Sequence, residues 1–230
     1  MTMGHEVESP RQRRRRANRD RILEAAVQVA VEDGIDGLAI ARVAELADYT
    51  PGALYRYYPS KDALLTAVVE RVIGELAELI READASAAEP LGRVAAQVSA
   101  YHAFAIGDGH GFQLIAAMVG DPRVLLPEDA DAAQVMGAMV RALAPLATAL
   151  EAAVTAGDLE PVEAPETTAE RAMLLFSAFH GALQLRKQAR MAPGLIDVDR
   201  IAFQTVRLIL RGWGARPEAL TVLSHHGVVR

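Results

Sequence analysis

Apolar residues recur every three or four positions along most of the chain, and acidic, glycine and proline clusters cut the runs apart. That is the pattern of amphipathic helices. Ile22, Leu23, Ala26, Val27 and Ala30 form the first stripe, with Asn18 placed to cap it and Gly34 to end it. Leu38 and Ile40 anchor the connection to a second, short helix with the small face Ala41, Val43, Ala44 and Ala47, which Asp48-Tyr49 breaks. Thr50 can accept an orphan backbone N–H and cap a third helix. Pro51 suits its first position. Leu54 and Tyr58 turn inward, and Pro59 ends the helix by disfavouring helical geometry before it. Ser60 caps a long helix from Lys61 to about Ala85, with the stripe Leu64, Leu65, Val68, Val72, Leu76, Leu79 and Ile80. Further helices are expected over Leu91–Ile106, Phe112–Val119, Ala130–Ala156 (kinked at Pro145), Thr167–Met191 and Val198–Trp213, with residues 123–130 as a loop.

No run alternates with period two, so the expected fold is all-α, about nine helices. The expected organisation is a disordered basic arm (1–17), a three-helix helix-turn-helix domain (18–64, motif about 41–60), a helical bundle (65–215) and a frayed tail (216–230). From the third helix, Leu54 and Tyr58 leave Pro51, Gly52, Ala53, Tyr55, Arg56 and Tyr57 outside. Small residues followed by aromatic and basic ones suit a helix whose N-terminal end enters the DNA major groove. Thr50 and Arg42 join them as candidate DNA contacts. Lys61, one of two lysines in the chain, opposes the dipole of its own helix. Reaching a phosphate explains its place.

The net charge is −6, from 24 basic and 30 acidic residues, which at first argues against a nucleic-acid partner. Its distribution reverses that reading. Arg11, Arg13, Arg14, Arg15, Arg16, Arg19 and Arg21 sit together, opposed locally by Asp20 alone. A basic arm on an acidic body can still bind and orient DNA, and Arg14, Arg15 and Arg16 are the candidate arm contacts. There is no cysteine, hence no disulfide or thiolate site. No metal-ligand spacing, nucleophile elbow or dinucleotide loop occurs, and the Gly107–Gly111 run follows no strand and lacks a P-loop lysine. The expectation is therefore a protein that is not an enzyme, with no cofactor and no metal. The N-terminus lacks the apolar segment of a signal peptide. No stretch is expected to reach the roughly 20 apolar residues that span a bilayer, which points to the cytoplasm and away from a membrane.

Ala44, Ala47, Thr50, Gly52, Leu54-Tyr55, Tyr57-Tyr58-Pro59-Ser60-Lys61 and Ala63-Leu64, with Ile22-Leu23, Ala25-Ala26 and Gly34 upstream, resemble the helix-turn-helix of the tetracycline-repressor (TetR) family of bacterial transcription regulators. The likeness covers roughly Asn18 to Glu70. It departs from the family pattern at Ala39, where Ser or Thr is usual, at Asp48, where Gly is usual, and at Arg56 and Tyr57, where a His is common. The resemblance implies a homodimer on a palindromic double-stranded operator, associated with the nucleoid when bound. It implies Lys61 on a phosphate and a small-molecule effector in the bundle. Activation instead of repression stays open. Phe176 to Gly181 also resembles a Trp-x-x-x-His-Gly stretch of some members, with Phe176 in place of Trp. That implies a dimer interface of two helices from each subunit, and both final helices are apolar on more than one face. Phe176, Phe179, His180, Gly181, Leu183, Val206, Leu210 and Trp213 are the candidate interface. His102, Gln113, Met118 and Met139 are the candidate ligand contacts, for an apolar or amphipathic ligand. The competing reading is an architectural DNA-binding protein without an effector.

Overall fold

The computed structural model describes residues 9–34, 37–107, 110–120, 129–191 and 194–224. Most of the expected loop 123–130, the start of the arm, the His225-His226 pair and the side chain of Met118 lie outside these. The described residues form ten α-helices and one 3-10 turn, with no strand. The chain divides into two compact units, residues 1–71 with 113–135, and residues 72–112 with 136–230.

The first unit opens with α1 (Pro10–Asp33). It begins well before Asn18, so Arg11 to Arg16 are helical and not a disordered arm. The cause is local. Ser9 and Gln12 form a reciprocal capping box and Pro10 stands at the first helical position. Ile22, Ala25, Ala26, Val29 and Ala30 are buried as the stripe requires. The helix-turn-helix consists of α2 (Ile40–Leu46) and α3 (Pro51–Leu54). Leu38, Val43, Ala44, Leu54 and Tyr58 are buried beneath it, each large side chain contributing about 1.5–3 kcal/mol by leaving water. Helix α4 (Lys61–Ala85) starts in this unit, with the Ser60 hydroxyl accepting from the Ala63 N–H at 2.9 Å, and ends in the second unit. Helix α6 (His110–Gly120) places Leu114 and Ile115 in the first unit's core.

The second unit contains α5 (Pro90–Ile106), most of α7 (Asp129–Thr155), α8 (Thr168–Gln184), α9 (Arg186–Met191) and α10 (Val198–Gly212). The expected helix 167–191 is two, because the chain leaves helical pairing at Leu185. Thr167 and Glu170 form a capping box on α8, and the Asp197 carboxylate caps α10, accepting from the Arg200 N–H at 2.9 Å. Helices α8 and α10 pack on one another more extensively than any other pair. The expected frayed tail contains a 3-10 turn (Ala219–Ser224) that buries Leu220 and Leu223 and touches α5 and α10.

Helix α7 corrects one expectation. Its segment Ala133–Thr155 is long and apolar enough, by length and composition, to cross a membrane. Ala138, Ala142, Leu146, Ala149, Leu150 and Ala153 supply a buried face in this fold, while Arg141 and Glu151 are exposed. Alanines spread around the helix raise its hydropathy without forming one continuous apolar block.

Candidate nucleic-acid interface and ligand cavity

The turn between α2 and α3 is closed tightly despite its unusual residue. Asp48 adopts φ 62°, the one positive φ among described non-glycine residues. Its N–H bonds to the Glu45 carbonyl at 3.1 Å, and the Tyr49 N–H bonds to the Ala44 carbonyl at 2.8 Å. These two bonds make a complete Schellman closure of α2, with Asp in the place glycine usually takes. At the other end of α2, Ala39 makes no side-chain cap, so that start is unsupported.

Thr50 caps α3 through its hydroxyl, which accepts from the Ala53 N–H at 3.3 Å. Pro51, Gly52, Tyr55 and Arg56 are exposed, and Ala53 is half-buried. Tyr55, half exposed at 50 %, is a large aromatic side chain left in water at a helix end. Lys61 is exposed in the first turn of α4.

Two expected contacts are instead used inside the unit. Arg42 pairs with Glu32 at 2.9 Å and Asp33 at 2.8 Å, the acids at the end of α1, so its charge is matched before any phosphate arrives. Tyr57 is half-buried, packs edge-on to Tyr49 with ring centres 6.0 Å apart, and accepts from the Asn18 amide at 3.1 Å. It positions the turn. Arg19 lies 5.0 Å over the Tyr58 ring and donates to its hydroxyl at 3.3 Å; burial raises the pKa of that phenol. Arg21 donates to the Ala47 carbonyl at 3.1 Å. Four of the basic-run and motif side chains thus hold the motif together. Arg11, Arg14 and Arg15 are exposed on α1, at the spacing that puts them on the face of Asn18, and so on the side of Tyr57. Arg16 points elsewhere around the helix.

The second unit holds a cavity of about 50 Å³ between α4, α5, α7 and α8, the room of a few water molecules. Leu76 and Ile80 of α4, Met139 and Leu143 of α7 and Phe176 of α8 line it with Gln97 and Tyr101 of α5. Met139, an expected ligand contact, lies on this cavity. His102 is not: it is buried beside Phe203, and its Nε2 meets Asp199 Oδ1 at 2.9 Å, tying α5 to α10. Gln113 is exposed and belongs to the first unit. Gln97 was missed. Its signal was a polar residue on the buried stripe of Val94, Val98 and Tyr101.

The expected dimer contacts divide. Phe179, His180, Leu183, Val206 and Leu210 are buried within the subunit itself, because α8 and α10 turn those faces to each other and to α5. His180 is 1 % exposed, with Nδ1 2.6 Å from the Tyr101 hydroxyl and Nε2 2.8 Å from the Gln184 amide. Desolvation lowers its pKa to about 4, so it is neutral near pH 7. Phe176 stacks on it, ring centres 5.4 Å apart, and lines the cavity. Trp213 packs beneath the buried Arg171 at 5.1 Å. Gly181 alone of the set is exposed, and a Cβ there would meet nothing within 4 Å.

Residues 22–68 match the family model described as bacterial regulatory proteins, tetR family. Over 53 residues the chain is 45% identical to the HTH-type transcriptional repressor DrrR1 of Streptomyces coeruleorubidus, covering 23% of this chain and 20% of that protein. Over 97 residues it is 30% identical to the HTH-type transcriptional activator FasR of Mycolicibacterium smegmatis, covering 42% of this chain and 44% of that one. These curated relatives are matched over less than half their length. In fold the chain is similar to the transcriptional regulator FadR of Bacillus subtilis, solved in complex with stearoyl-CoA: TM-score 0.64, 17% identity, 84% of this chain and 98% of that chain. At that identity the likeness is one of fold.

Proposed function

We propose that this chain, whose residues 22–68 match the tetR family of bacterial regulatory proteins, is a sequence-specific transcriptional regulator of that family. It acts in the bacterial cytoplasm as a homodimer, bound to a palindromic operator and released when a small ligand enters the bundle. The observation that carries the reading is the exposed face that runs from the start of α3 into the turn after it. Pro51 and Gly52 of α3, and Tyr55 and Arg56 just past its end at Leu54, which falls short of the Tyr58 that the sequence pattern predicts, stand in water over the buried Leu54 and Tyr58. Tyr55 and Arg56 would read base edges, the small residues would let the helix approach the groove, and Lys61 would meet a phosphate. Arg11, Arg14 and Arg15 would add backbone contacts along α1.

The dimer is supported by a face that the subunit leaves uncovered. Leu174 and Gly181 of α8, Leu185 at its C-cap, and Ile201, Leu208 and Gly212 of α10 are exposed at helical spacing. The glycines would allow close approach. A palindrome read by two α3 helices would require them one DNA turn apart, about 34–36 Å. Ligand control is supported by the cavity. Helix α4 runs from Lys61 to the cavity-lining Leu76 and Ile80, so a ligand that shifts it would move the motif. Coupling of about 1–3 kcal/mol would suffice. Repression is preferred; the FasR likeness keeps activation as the second reading. Selection of bound duplexes from a random pool at near-physiological salt tests the proposal. An enriched palindrome supports it. Binding without a motif would favour an architectural protein, and no binding would contradict it.

A further inference from the structure

Gln97 is 2 % exposed, and its amide nitrogen donates to Asp84 Oδ1 at 2.6 Å. Only the nitrogen can donate to a carboxylate, so the orientation of the amide is fixed. Its Oε1 is left without a partner, the sole buried side-chain polar atom in that state among the described residues. An unmet buried acceptor is costly, and a ligand group that donates to it recovers that cost. Gln97 lines the cavity, and Oε1, itself closed off in the resting space, is the acceptor it has left to offer a ligand that widens that space.

The other charges nearby are already matched. Arg93 grips Asp84 with two bonds, Nε to Oδ1 at 2.9 Å and Nη2 to Oδ2 at 2.6 Å. Neither group is left to balance a charged ligand. No Lys or Arg is among the described residues that line the cavity. The Tyr101 hydroxyl, which also lines it, is engaged by His180. A carboxylate brought among Leu76, Ile80, Leu143 and Phe176 would lose its water with no cation to meet it. Met139 supplies an adaptable wall that can yield to a ligand larger than the resting space.

We infer that the effector of this cavity is an uncharged, largely apolar molecule that donates one hydrogen bond, from a hydroxyl or an N–H, to Gln97 Oε1. The inference rests on the reading of the cavity as the effector site, and one experiment separates the two. The full-length chain is titrated calorimetrically at pH 7.5 with four probes: 1-octanol, its isomer 1-methoxyheptane, octanoate and octylammonium. The alcohol should bind at least about tenfold more tightly than the ether, which has the same atoms but no donor, and more tightly than either ion. Gln97→Met should erase the difference between alcohol and ether. Leu143→Trp, which fills the cavity and leaves Gln97 in place, should abolish binding of both. Equal binding of alcohol and ether, abolished by Leu143→Trp, would keep the cavity as a ligand site and overturn the donor. Preference for either ion would overturn the uncharged ligand. No binding by any probe, or binding that survives Leu143→Trp, would overturn both.

Discussion

Polar side chains do different work in the two units. In the helix-turn-helix unit they sit at the surface and secure backbone: Ser9, Thr50 and Ser60 cap helices, Arg21 reaches a carbonyl, and Arg42 closes on two acids at a helix end. Water can replace any one of these at small cost, and the groups left over, Tyr55, Arg56 and Lys61, are free to meet a partner. In the bundle the buried polar side chains are few among the described residues, and each is committed: His180 to Tyr101 and Gln184, His102 to Asp199, Arg171 to Glu166 and two carbonyls, Gln97 to Asp84. There, one atom without a partner is informative. The surface proposed to bind in the first unit is read from exposure, and that proposed in the second from an unmet buried acceptor.

The contrast predicts effects of different size. Leu54→Ala, beneath the recognition helix, should cost about 2–5 kcal/mol in urea unfolding of the first unit and abolish operator binding. An intact motif after that change would break the claim that α3 is fixed from below. The buried histidine gives the next effect. His180 takes up its proton near pH 4 in the fold but near pH 6.5 when unfolded, so the unfolded state binds more protons between those values. Stability should fall as pH drops from about 6.5 to about 4, by up to about 3 kcal/mol from this residue, with no contribution above pH 7. His180→Phe should therefore close on the wild type in denaturant midpoint as pH falls. A constant difference from pH 7.5 to 4.5 would contradict the assignment. Charge at the surface should act on salt dependence and leave the fold alone. Arg11, Arg14 and Arg15 changed together to Gln should lower the slope of log K against log salt by about 0.9 for each phosphate that is no longer neutralised, with an unchanged melting temperature. An unchanged slope would make α1 a scaffold only. The smallest effect is expected at the turn: Asp48→Gly should stabilise by about 1 kcal/mol or less by relieving a left-handed non-glycine residue, read as a small rise in melting temperature.

The same contrast explains what the sequence could reveal. In the first unit local rules act alone. Thr50 with Pro51 announced α3, and the pair Leu54 and Tyr58 announced its buried side, so its outward residues followed. Asp48 stood out because its position demands a left-handed backbone, and it adopts one. Long-range pairing was invisible. Nothing adjacent to Arg42 or Tyr57 in the chain says that Glu32, Asp33 and Asn18 will reach them. The capping power of Ser9 and Gln12 was hidden by the arginines that follow. In the bundle, apolar periodicity finds a helix without saying which apolar face is inside. Phe179, Leu183, Val206 and Leu210 were plausible as a partner surface until packing of α8 on α10 buried them. His102 and Gln97 share a helix, and the choice between them depends on Asp199 and Asp84, 97 and 13 residues away.

The central claim is that the exposed face from Pro51 to Arg56, α3 and the turn after it, reads DNA. The most direct test is a fluorescence-anisotropy titration of a selected duplex with the wild type and with Tyr55→Ala, alongside thermal melting of both. Because Tyr55 touches base edges in this account and supports nothing in the fold, affinity should fall by about 1–3 kcal/mol, roughly five- to 150-fold, with the melting temperature unchanged. Equal affinities at equal stability would contradict the account and move the reading surface away from α3.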